Sequence, residues 1–80
     1  MSSDVINALA DQLALAALQA MDETGDERLF EDVARELGKS SPTLEEAFMN
    51  LIRIRLTAQR GLDLIERLRE SAASPPASKA

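Results

Sequence analysis

The chain has 80 residues, no cysteine, no histidine and a net charge of −5. That composition excludes disulfide staples, thiolate and imidazole metal sites, and the commonest general base. A single core in so short a chain supplies only about 3–5 kcal/mol, so oligomerisation is the staple that remains.

The charge is unevenly spread. Residues 1–37 hold nine acids against Arg28 and Arg35, a net of −7. Residues 38–80 hold five acids against seven bases, a net of +2. Such halves favour packing together, within a chain or between chains. The acidic balance argues against non-specific nucleic-acid binding. Phe30 and Phe48 are the only aromatic residues, and the remaining apolar content suits helix packing.

The first element predicted is a helix over about residues 4–21, with Ser2 or Ser3 as N-cap and Asp4 in the positive first turn. Ile6, Leu9, Leu13, Ala16, Ala17 and Ala20 form its apolar stripe. Leu15 and Leu18 fall off that stripe, onto a side that water or a second subunit would cover. Asn7, Asp11, Gln12 and Gln19 interrupt any membrane span. Asp4 stands where a signal peptide would carry basic residues, so no membrane association and a cytoplasmic location are expected.

Gly25 occupies a helix C′ position. A second helix is predicted over about 27–37, capped by Asp26 or by a Thr24–Glu27 capping box. Its core positions are Leu29, Phe30, Val33, Ala34 and Leu37, and Gly38 ends it. Ser41 followed by Pro42 is an N-cap and first-turn pair that starts a third helix. The acids Asp22, Glu23, Asp26 and Glu27 do not make a calcium loop. Counted from Asp22, the sixth and twelfth positions are Glu27 and Val33, where Gly and Glu are required.

The third helix is predicted over about 43–69. At ~1.5 Å per residue it is ~40 Å long, whereas a compact 80-residue globule has a radius of gyration of only ~11–12 Å. Its apolar arc is also wider than one neighbour needs. Phe48, Ile52 and Leu56 lean one way; Ala47, Leu51, Ile54, Ala58, Ile65 and Leu68 lean the other. Gly61 lies on the second surface. It costs ~1 kcal/mol against Ala in a helix interior, and it either breaks the helix or makes a flat crossing point with Ala58. The continuous helix is preferred, because no Pro, Asn or Asp precedes Gly61. Pro75-Pro76 and small polar residues mark 71–80 as a disordered tail.

Arg53, Arg60 and Arg67 recur at sevens. Asp63 offers Arg60 and Arg67 local partners, which leaves Arg53 and Arg55 for acids of helices 1 and 2 or of another subunit. No catalytic residue, cofactor site or metal site is expected, since every carboxylate pair falls on a wet face.

The fold class expected is therefore all-α: a three-helix bundle with a long C-terminal helix over residues 1–70, as a homodimer. The interface set is Leu51, Ile54, Ala58, Gly61, Leu62, Ile65 and Leu68, with Leu15 and Leu18. The expected function is a non-catalytic protein-interaction module or regulator acting through helix–helix contacts. The competing reading is a helix-turn-helix DNA-binding regulator, from the spacing Ala34, Gly38, Leu44 within Phe30–Ala47. Its reading helix would open on Thr43-Leu44-Glu45-Glu46, and two carboxylates meet phosphate repulsion in the major groove.

Overall fold

A computed structural model describes residues 3–73. Three helices make up the fold: α1 Ser3–Thr24, α2 Leu29–Gly38 and α3 Pro42–Ala73. No strand occurs among the described residues. All three helices pack on one another, as the sequence leads one to expect. The proposed cap Ser2 and residues 74–80 of the tail lie outside the described residues, while residues 71–73 continue α3 as helix.

The junctions follow local chemistry. Gly25 has φ of 76°, and its N–H donates to the Met21 carbonyl at 2.9 Å, closing the α1 terminus with a left-handed residue. α1 thus runs three residues past Met21. The Thr24–Glu27 capping box does not form. Thr24 Oγ1 donates to the Ala20 carbonyl instead and accepts the Asp26 N–H. Asp26 Oδ1 accepts the Arg28 N–H at 3.0 Å. This builds a turn over 26–28, and α2 begins at Leu29 rather than Glu27. Ser41 Oγ accepts the Leu44 N–H at 3.1 Å, so Ser41 caps α3 with Pro42 in the first position.

The core is small. Ala10, Ala14 and Ala17 of α1, Ala34 of α2, and Phe48 and Ile52 of α3 are its buried residues. Alanines on α1 and α2 leave room for the two bulky side chains of α3. This explains a correction to α1. The buried line is Ala10–Ala14–Ala17, rotated from the expected stripe. Leu9 and Ala16 are exposed, and Leu18 packs partly buried against the core rather than facing away.

Asp11 and Arg55 form an ion pair between α1 and α3. Ala14 and Ala17, which follow Asp11 on α1, share the buried core with Ile52 and Phe48, which precede Arg55 on α3, and every residue of α3 after Leu56 is exposed. The two long helices therefore run in opposite directions, with the short α2 packed against both.

Candidate helix-helix interface

Helix α3 continues without a break through Gly61. Its first half, to Leu56, is built into the core. Its second half, residues 57–73, is exposed throughout. The radius of gyration is 17.6 Å, against ~11–12 Å for a compact chain of this length. The accessible surface is 6107 Å², where a compact 8.7 kDa monomer is expected to expose about 4,700 Å².

That surface carries large apolar side chains. Ile54 is 54% exposed, Leu62 56%, Ile65 48% and Leu68 59%. Ala58 and Gly61 lie open between them, and nothing stands within 4 Å of where a Cβ on Gly61 would be. Gly61 is therefore not required by any contact inside the chain. Arg53, Ile54, Thr57 and Ala58 border an open depression of ≈ 360 Å³ where the projecting half leaves the core.

The residues singled out from sequence separate into two groups. Ile54, Ala58, Gly61, Leu62, Ile65 and Leu68 share the exposed part of α3, and Leu15 of α1 is exposed as well. Leu51 and Leu18 are partly buried against the chain's own core. Sequence reasoning missed Leu64, 46% exposed beside the same strip. An isolated leucine outside the main arc was the available signal. Val5 and Leu9 add exposed apolar surface on α1.

The arginines also divide. Arg55 donates from Nε at 3.0 Å and Nη2 at 2.7 Å to Asp11 Oδ1. Arg53 makes no ion pair among the described residues. Asp63 does not pair with Arg60 or Arg67; it accepts the Gln59 side-chain amide at 3.0 Å, because Gln59 lies one helical turn before it. Arg69 reaches Glu66 at 3.3 Å instead.

Among the described residues no cluster of three His, Cys, Asp or Glu side chains is placed to hold a metal ion. No described helix is long and apolar enough to cross a membrane.

The chain matches no family model, no curated protein and no solved structure. Monomeric proteins rarely leave a contiguous apolar strip of this kind open, and such strips mark interaction sites.

Proposed function

We propose that this chain is a small non-catalytic interaction module that self-associates through helix–helix contacts of the projecting half of α3. The observation that carries the reading is the exposed line Ile54, Leu62, Ile65, Leu68 on a continuous helix with no neighbour inside its own chain. Covering those side chains removes apolar surface from water at about 25 cal/mol per Å², and the small core gives the chain reason to use it.

The test is a surface substitution. Ile65→Arg changes a residue that supports nothing in the chain's own core, so helicity is expected to stay and association to be lost. An Ile65→Arg chain that associates as tightly as the parent overturns the reading.

A second reading is supported by the α2–α3 junction. Ala34 is buried and only Lys39, Ser40 and Ser41 separate the helices, as in a helix-turn-helix. The opening turn of α3 weighs against it. Glu45 folds onto Gly38 and Glu46 is exposed, so carboxylates would lead into a groove lined by phosphate. A mobility shift with random-sequence DNA at low salt decides, and the interaction-module reading expects none.

A further inference from the structure

We infer that the partner of α3 is a second copy of this chain lying antiparallel, with the two-fold axis passing between residues 59 and 60. The inference rests on the self-association proposed above and adds its geometry.

A strict heptad seam runs along α3: from Ile54 onward its residues are exposed, while Ala47 and Leu51 are half-buried against the chain's own core and offer only their outer edges. From Ala47 to Ala72 small or apolar residues recur at alternating steps of four and three, the spacing that winds two helices about each other left-handedly. The seam also reads the same from either end. Ala58 mirrors Gly61, Ile54 mirrors Ile65, Leu51 mirrors Leu68, and Ala47 mirrors Ala72. A two-fold interface requires a surface complementary to its own rotated image. In the antiparallel pair each mirrored residue meets its mate. Two large layers then flank a small central one, where Ala58 and Gly61 let the backbones approach. This gives Gly61 a packing role that nothing inside the monomer supplies.

Charge decides against the parallel alternative. A parallel pair would set the two copies' α1–α2 ends side by side, each from a segment of net −7. The antiparallel pair separates them by about 28 Å along the seam at ~1.5 Å per residue, well beyond the ~8 Å screening length at physiological salt. The flanks agree. The mirror alignment sets Arg55 level with the partner's Leu64 and Thr57 level with the partner's Leu62, and no two arginines lie level with each other.

The chain has no native cysteine, so single replacements report cleanly. Chains carrying Ile54→Cys and Ile65→Cys are oxidised separately and mixed, while sedimentation follows the parent chain. The antiparallel pair predicts a covalent dimer only in the mixture, joining residue 54 to residue 65. Alone, like positions would be about 16 Å apart along the axis, beyond disulfide reach. A second probe avoids the seam: nitroxide labels on Thr43→Cys should lie roughly 50 Å apart along the antiparallel axis, against less than about 20 Å if parallel. A parent dimer that cross-links 54 to 54, cross-links nowhere, or holds the labels close overturns the alignment alone. A monomeric parent overturns the association beneath it.

Discussion

Asp11 and Arg55, 44 residues apart in the chain, meet at 2.7 Å and tie α1 to α3 at the point where α3 leaves the core. The pair sits at the boundary between the built-in and projecting halves. Its side chains are 43% and 36% exposed, so water screens much of the attraction. An interaction of this type contributes under about 1 kcal/mol. Arg55→Met is expected to lower stability by no more than that, and the loss should shrink in high salt. Urea titrations at low and high salt check it; a loss of several kcal/mol would mean that the pair, not the apolar core, holds α1 on α3.

Phe48 carries far more. It is fully buried, and among the described residues Ile52 is the other large side chain buried as completely. Phe→Ala in a core costs about 3–5 kcal/mol, which is most of what a chain this small has. Phe48→Ala is expected to lose cooperative thermal unfolding by circular dichroism. A transition kept within about 1 kcal/mol of the parent would contradict the core described.

Two glycines separate backbone effects from space. Gly25 has positive φ with open surroundings, so Gly25→Ala pays only for the left-handed backbone, about 1–2 kcal/mol. Gly38 has an ordinary helical backbone, and a Cβ there would fall on the carboxylate of Glu45, the free end of a flexible side chain. Gly38→Ala should therefore cost less, since Glu45 swings away and the helix gains up to ~1 kcal/mol in propensity. Paired denaturation curves give the order; Gly38→Ala as the worse variant would contradict it.

Gly61→Ala separates helix propensity from association. No atom of the monomer obstructs the added methyl, so the helix gains roughly 1 kcal/mol. At a close crossing the same methyl pushes the partner away. Higher helicity with dissociation at least tenfold easier, about 1.4 kcal/mol, is the expected result from circular dichroism and sedimentation together. Unchanged association would remove Gly61 from the interface.

The three helices and the α2–α3 junction were legible because Gly25, Gly38 and Ser41-Pro42 punctuate the chain by local rules, although the α1–α2 junction was not. Phe48 and Ile52 were legible as the core side of α3 for the same reason: a two-sided helix must bury its largest residues first. The facing of α1 was not. Its stripe holds three alanines against two leucines and one isoleucine, and an alanine-rich helix has no dominant hydrophobic direction, so the bulk of Phe48 and Ile52 chose the small face. The start of α2 was misplaced because Asp26 spends its carboxylate on a turn at Arg28. Asp63 was assigned to arginines by spacing alone, whereas Gln59 competes from the same face. The exposed strip was legible as excess length and excess arc. Its mirror order becomes meaningful only once residues beyond 56 are seen to stand clear of the core.

Sedimentation equilibrium of the parent chain at micromolar concentration tests the central claim most directly. Self-association through α3 predicts a mass near twice 8.7 kDa. A monodisperse 8.7 kDa species, with α3 still helical through residue 73, would contradict it.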